Sequence, residues 1–459
     1  MNNAVENPTS STPASARETL SGWGRTTVAD CEVVRPASET IVTALPGAAG
    51  AGGLIARGCG RSYGDASTND RGQVVDMTAL DTVESFDPES GLMVCQAGVT
   101  MASLVDGYLS DGFVPPVCPG TGFVTIGGAV ANDVHGKNHD RDGSFGDHVE
   151  FIELLLPTGE VRRLSDQENP ALFRATIGGI GLTGLILRVA FRMCKIGTNA
   201  VRVTERRMRD LDEFFEALQA SAASSTYSVG WVDAIARGRH LGRGILMTGE
   251  PADDFLPVRA RRSIRVPFDL PRGSLNRLSM RVFNACYLRR FRGQRTHDVD
   301  FRRFVFPLDA LLDWNRLYGS AGAVQFQCVI PPEHARVAFR EILDIAAEGA
   351  VASPLAVMKT MGREGRGMLS FPKPGFTLAL DFPRRASTDD LVRRLHSITM
   401  EHGGRVYLAK DDQLGPSELR RMYPETAKFE NVLRDIDPRG LMQSDMARRL
   451  RLCCKEETA

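Results

Sequence analysis

The sequence contains no run of about eighteen uninterrupted apolar residues, which excludes a conventional membrane-spanning helix. Its best candidate, residues 177–191, is glycine-rich and broken by Arg188. No CxxC pair occurs among its nine scattered cysteines. That argues against a disulfide framework or a structural zinc site and for reduced thiols. It lacks a basic-then-apolar leader. Residues 1–18 are rich in Asn, Ser, Thr, Pro and Ala and read as a disordered tail rather than a signal peptide. The expectation is a cytoplasmic or peripheral membrane protein, with the periplasmic face left open. A basic excess is also missing: 56 Lys and Arg balance 56 Asp and Glu, so a dedicated nucleic-acid binder is excluded. Lysine is scarce, at positions 137, 195, 359, 373, 410, 428 and 455. Where arginine is the default cation, a lysine in an unusual segment points to chemistry, because a buried lysine can lose its proton and arginine effectively cannot.

What is present is a chain of 459 residues, 42% hydrophobic and 24% charged, too long for one core and ordinary for a soluble globular protein. Strands are predicted at 54–56, 74–77, 92–95 and 185–193, a helix at 101–109, and a hairpin from 150–156 and 161–164. The composition shifts near residue 198. Beyond it come a helix over 210–222, strands at 227–234 and 244–248, two strand–helix pairs (324–330 with 332–347; 377–381 with a helix capped near Ser387) and a strand at 405–409. This order implies an α+β architecture with helices on one face of a sheet. Between Arg259 and Arg303, thirteen arginines face three aspartates, interleaved with apolar residues such as Phe268, Leu278 and Phe283.

Three glycine-rich segments stand out: residues 58–65 (GCGRSYGD), 119–128 (PGTGFVTIGG) and 177–184 (IGGIGLTG). Closely spaced glycines let backbone N–H groups approach an anion. The third matches a dinucleotide fingerprint in spacing, but the residues after it read as a strand, where the fingerprint requires a helix. The second runs on through His135, Lys137 and His139. Gly136 between the two histidines and the lack of a supporting acid pair argue against a metal site, and none is expected.

The order of GxGRSYGD, PGTxxVTxGGAxAxDxHGKNH, GSFGxHV and GGxGLTG resembles the flavin-binding domain of the vanillyl-alcohol-oxidase-type (PCMH-type) flavoproteins. Within that superfamily the chain is similar to the decaprenylphosphoryl-β-D-ribose 2′-oxidases of actinobacteria. Further matching motifs, among them residues 325–331, 369–372, 409–411 and 444–450, extend the resemblance over roughly residues 20–452.

The resemblance implies a two-domain PCMH-type FAD-binding fold. Its FAD domain spans 19–198 and is completed by a C-terminal return at 405–459. An antiparallel-sheet substrate domain occupies 199–404, with 259–303 as a basic, mobile, membrane-facing segment. Carried onto matching positions, the FAD contacts are Ala56, Arg57, Gly58, Cys59, Gly60, Arg61, Ser62, Tyr63, Gly64, Asp65 and Ala66. To these it adds Gly120, Thr125, Ile126, Gly127, Gly128, Asn132, Asp133, Val134, His135, Ile186 and Tyr407. Many superfamily members attach flavin to a histidine in the first glycine loop; Tyr63 in that region implies noncovalent FAD. Lys410 matches the active-site lysine and is the implied base. His135 and Tyr63 are implied to position sugar or flavin, and Lys137, Gln325, Gln327, Lys359, Thr377 and Ala379 to line the substrate cavity.

The chain departs from the family where mycobacterial members carry a cysteine (here Ala379), an asparagine (Thr377) and a Tyr-His pair (Val305-Phe306). The implied reaction is FAD-dependent oxidation of the 2′-hydroxyl of a polyprenylphosphoryl pentose to a ketone. Its implied partners are a separate NAD(P)H-dependent reductase, a quinone or oxygen as electron acceptor, and an anionic membrane surface. Two alternatives remain open from sequence: an alditol or aldonolactone oxidase of the same fold, and a flavin-free scaffold protein in cell-wall assembly.

Overall fold

The computed structural model describes residues 15–257, 263–291, 293–349 and 353–452. Arg259, Arg261, Arg262 and Arg292 of the basic stretch, and residues 1–14, lie outside it. The fold is α+β, as expected. Residues 15–18 correct the boundary of the expected tail. They open a strand, Ser15–Ser21, paired antiparallel with Val28–Val34. Edge-strand pairing needs backbone partners rather than apolar side chains, and Arg35 fastens Glu18 through two hydrogen bonds of 2.6 and 2.8 Å.

Those two strands join Gln73–Asp76 and Leu54–Arg57, which run parallel to each other, in a four-stranded sheet. A second, antiparallel sheet has the order Val83–Asp87, Leu92–Gln96, Leu185–Arg192, Val149–Leu155, Val161–Leu164. The glycine segment 177–184 leads directly into the Leu185–Arg192 strand, so no dinucleotide-type helix follows it.

From Ala200 onward an eight-stranded antiparallel sheet dominates. Its order is Gln294–Asp300, Ala200–Met208, Gly244–Pro251, Tyr227–Val232, Ala356–Met361, Gly375–Pro383, Ala323–Ile330, Arg405–Val406. Side chains alternate across a strand, and here the alternation separates two tasks. Phe326, Cys328, Leu378, Leu380 and Met358 pack into the main core with the helices Leu211–Ser224, Pro332–Glu348 and Thr388–Glu401. Phe215 meets Phe376 edge-on, 4.6 Å between ring centroids. The intervening residues, Gln325, Gln327, Thr377, Ala379, Val357 and Lys359, line a cavity instead.

Several elements differ from the sequence reading. The strands Ala200–Met208 and Gln294–Asp300 were not foreseen; their pairing is reinforced by Arg202 bridging to Asp298 at 3.1 Å. The expected 405–409 strand stops at Val406. Lys410 N–H donates back to Tyr407 O at 2.9 Å, and Tyr63 N–H takes Ala409 O at 2.9 Å, so the chain curls into a 3₁₀ turn, Leu408–Lys410. The basic stretch contains a helix, Arg277–Arg289, capped by Asn276, which accepts from Leu278 N and Ser279 N at 2.8 and 3.0 Å. Its buried Asn284 donates to Asp233 at 2.6 Å.

The C-terminal residues fold back onto the first sheet. Leu54 donates to Leu441 O at 2.8 Å and accepts from Gln443 N–H at 3.0 Å. Arg449 bridges Asp65 and Asp411 at 2.8 and 2.9 Å. Among the described residues no helix is long and apolar enough to cross a membrane.

Candidate active site

A cavity of about 830 Å³ runs between the glycine loops and the open face of the eight-stranded sheet. Of the residues the sequence singled out, Ala56 to Tyr63, Ala66, Gly120, Thr125, Gly127, Gly128, Asn132, Val134, His135, Lys137, Ile186, Tyr407 and Lys410 all line it. So do Gln325, Gln327, Lys359, Thr377 and Ala379.

Four singled-out residues stand behind the wall rather than in it. Ile126 is fully buried in the core. Asp65 is paired with Arg449. Asp133 adopts a left-handed φ of 41° and accepts from Gly146 N–H at 2.9 Å and Ser370 Oγ at 2.5 Å; burial raises its acid to about 6. Gly64 packs against the turn that carries Lys410, where a Cβ would come within 2.1 Å of Asp411 O.

The glycine-loop end of the cavity suits FAD. Among the described residues, the backbone N–H groups of Cys59, Gly60, Arg61 and Ser62, which line the cavity, have no protein acceptor, and consecutive free donors are what a pyrophosphate requires. Arg61 Nε and Asn132 Oδ1 are buried without a partner, which a polar heterocycle would remedy. Gly58 lies so close to the Thr125 side chain that a Cβ would sit 2.3 Å from Oγ1, so the loop and the turn facing it can approach only as glycine allows.

At the other end, His135 is held between two strands of the sheet. Lys359 Nζ donates to its Nδ1 at 3.0 Å and to Gly136 O at 3.1 Å, and Nε2 lies 3.1 Å from the Gln327 amide. Burial, then the charges of Lys359, His139 and Lys410, push the imidazole well below its usual range, so it is neutral. Burial brings Lys359 to about 8 and, aided by Lys359, Lys137 to about 7. Lys137 Nζ donates to Phe304 O and lies 4.2 Å from the Phe304 ring centroid. His139 is turned away to accept from Gly362 N–H at 3.2 Å. Among the described residues no group of metal-ligating side chains is assembled.

Lys410 lies with Nζ 4.4 Å from the centroid of the Tyr63 ring. Burial lowers its ammonium to about 8, with the Asp381 carboxylate opposing the shift. Asp381 is a residue the sequence reading missed. It is fully buried and accepts from Tyr63 OH at 3.3 Å, Tyr318 OH at 2.9 Å and the Gln325 amide. Burial raises its acid to about 6, so it is mostly ionised at neutral pH. The signal was present: Asp381 is two residues beyond Ala379 and therefore shares its face of the strand. Val203, Val229, Trp231 and Met247, which also line the cavity, carried no local signal, because only the sheet's cross-strand order gathers them.

Comparison with known proteins agrees with this geometry. Residues 31–165 match the FAD binding domain family, and residues 375–450 match the D-arabinono-1,4-lactone oxidase family. Decaprenylphosphoryl-β-D-ribose oxidase of Mycolicibacterium smegmatis is 39% identical, over 94% of this chain and 97% of the relative. L-gulono-1,4-lactone dehydrogenase of Mycobacterium tuberculosis is 22% identical over 94% of this chain and 98% of its own. A putative D-arabinono-1,4-lactone oxidase of Neurospora crassa is 30% identical over 29% of this chain and 24% of its own. By the first of these relationships the chain belongs to the decaprenylphosphoryl-β-D-ribose oxidase family of FAD-dependent oxidoreductases.

Proposed function

We propose that the protein oxidises the 2′-hydroxyl of a polyprenylphosphoryl-β-D-ribose to the 2′-keto sugar, the first half of an epimerisation to the arabinose epimer. The observation that carries this reading is the position of Lys410. It is a buried amine that titrates near 8, set on Tyr63 in the same cavity as the FAD loops. Bound FAD supplies the hydride acceptor. Lys410, neutral in a useful fraction at physiological pH, takes the hydroxyl proton. Gln325, held by Asp381, and Gln327, next to His135, fix the sugar. Tyr63 and the engagement of both His135 ring nitrogens support noncovalent FAD, which acid denaturation should release into solution.

The same reading divides the chain at about 198 and 404, with 405–459 returning to the FAD domain. The three large sheets support the first of these divisions, since the strands of the first two end at Arg192 and those of the third begin at Ala200; Arg405–Val406 still pairs in the third sheet, and the return follows it. A keto product calls for a separate NAD(P)H-dependent reductase, and the bound cofactor for a quinone or oxygen as final acceptor. The Arg277–Arg289 helix exposes Leu278, Val282 and Phe283 beside its arginines, a surface suited to anionic lipid. Vesicle binding that fades with added salt tests that contact.

The lactone-oxidase match over 375–450 favours a second reading, oxidation of a small aldonolactone or alditol. The FAD-domain match leaves a flavin-free scaffold without support. Anaerobic bleaching of the flavin absorbance decides between the two oxidase readings. Polyprenylphosphoryl ribose should bleach it and free alditols or lactones should not; the reverse result overturns the proposal.

A further inference from the structure

The open face of the eight-stranded sheet continues well past the Lys410 region and changes character along the way. Over the strands Ala323–Ile330, Gly375–Pro383 and Ala356–Met361 it presents Gln325, Gln327, Thr377 and Lys359. On the next strands it presents Val229 and Trp231, then Met247, then Val203, and Val299 at the edge. These positions are adjacent by register: Trp231 opposes Val357, and Met247 opposes both Val229 and Glu205. From the Ala323–Ile330 strand to the Ala200–Met208 strand is five inter-strand spacings, about 24 Å. Polar groups return at the outer end, where His297 Nδ1 lies 4.0 Å from Glu205 Oε2.

A basic side chain, Lys137, marks the boundary between the two halves. Lys137 O accepts from Ser228 N–H at 2.8 Å, on the strand where the apolar half begins, and its Nζ points to Phe304 in the cavity wall. Beyond, Tyr287 of the Arg277–Arg289 helix packs on Trp231 with 4.8 Å between centroids and stacks on Phe283 at 6.0 Å. Phe283 is 51% exposed. An apolar path therefore leads from the cavity to the exposed apolar side of that helix.

We propose that the apolar half of this face, from Val229 through Met247 to Val203, is the binding site for the prenyl chain of a prenyl phosphate ester, with the phosphate at Lys137 and the chain leaving across Tyr287. This rests on reading the substrate as a lipid-linked sugar phosphate. A flexible hydrocarbon gains affinity from each apolar surface it covers, and a cation on a polar rim fixes where the chain starts. A small lactone or alditol has no use for a floor of this length.

The test uses the FAD-loaded enzyme and prenyl monophosphates that carry no sugar, so its outcome is independent of oxidation. Binding of methyl, geranyl, farnesyl and geranylgeranyl phosphate is followed by titration calorimetry. Affinity is expected to rise with chain length, by about tenfold or more from methyl to geranylgeranyl. Met247→Glu should remove most of that gain and leave methyl phosphate unchanged. Met247→Gln replaces it should the glutamate variant lose flavin absorbance. Lys137→Gln should weaken all lengths by one common factor. Equal affinity at every length, or a gain with length that survives the Met247 substitutions, overturns the proposal. A failure of flavin bleaching by polyprenylphosphoryl ribose overturns the oxidation reading alone.

Discussion

The Tyr63 hydroxyl donates to Asp381 Oδ2 at 3.3 Å across a sequence separation of 318 residues, joining the first glycine loop to the sheet beneath the cavity. Tyr318 and Gln325 donate to the same carboxylate. The ring so fixed is the one on which Lys410 rests. Asp381 therefore positions the aromatic platform and supplies the negative charge that acts on the amine.

Asp381→Asn separates these two effects. The carboxylate raises the Lys410 pKa, so its removal lowers it. A reaction that needs neutral lysine gains rate as pH rises through that pKa. The limb of the pH–rate profile for flavin reduction, near 8 in the wild type, should move to lower pH in the variant. A purely structural role changes the amplitude of the profile and leaves the limb where it was.

Lys410→Ala is expected to retain FAD and lose about 10²–10⁴-fold in the rate of flavin reduction, the usual contribution of a general base. Lys410→Arg should be as slow, because a guanidinium cannot give up its proton at accessible pH. Stopped-flow reduction under anaerobic conditions reads both. A Lys410→Ala enzyme reduced at the wild-type rate removes the lysine from the chemistry.

Arg449 carries the junction between the C-terminal return and the first glycine loop. Its side chain is 23% exposed, and its partners Asp65 and Asp411 are 7% and 1% exposed. Removing one member of a buried pair leaves uncompensated charge, at a cost of about 3–5 kcal/mol. Arg449→Met should lower the unfolding midpoint and weaken FAD retention together. A variant with wild-type stability would show that the two aspartates find other donors.

Ala379 faces the cavity between Gln327 and Val357. Two cysteines, Cys59 and Cys118, also line the cavity, but burial raises both thiols, Cys118 to about 12, so little nucleophilic thiolate forms on either. Ala379→Cys should therefore permit a covalent adduct with an electrophilic nitroso-aromatic compound, located by peptide mass spectrometry to residues 375–383. The wild-type protein should carry none on that strand. An adduct there in the wild type would show that the strand's wall is placed differently from the register given above.

Much of this was legible in the sequence because the chemistry is local. The glycine loops and the His135–Lys137 segment are short motifs whose residues reach the cavity together. Lys410 was visible through the rarity of lysine and the match of its surroundings. Gly64, Asp65, Ile126 and Asp133 show the limit of that approach: a contiguous motif alternates between wall and support, and sequence alone does not say which residue does which. Asp381 escaped because its role depends on donors contributed by three other segments. The apolar floor escaped for the same reason, since its members come from strands that pair in an order unlike their order in the chain. The strand Gln294–Asp300 was hidden by its polar composition, which suits a sheet edge.

Leu54, at the start of the strand that feeds the first glycine loop, is hydrogen-bonded to Leu441 and Gln443, and the loop itself is tied down by Arg449. During synthesis, then, the Leu54 strand leaves the ribosome with one side of the cofactor cradle missing and must wait for nearly four hundred further residues. Closure over so long a separation is slow. The nascent chain presents an unfinished apolar edge throughout that interval, a state in which aggregation competes with folding. Cofactor capture becomes a late, post-translational event, and the yield of active protein in a host should depend on FAD supply and folding assistance at chain release.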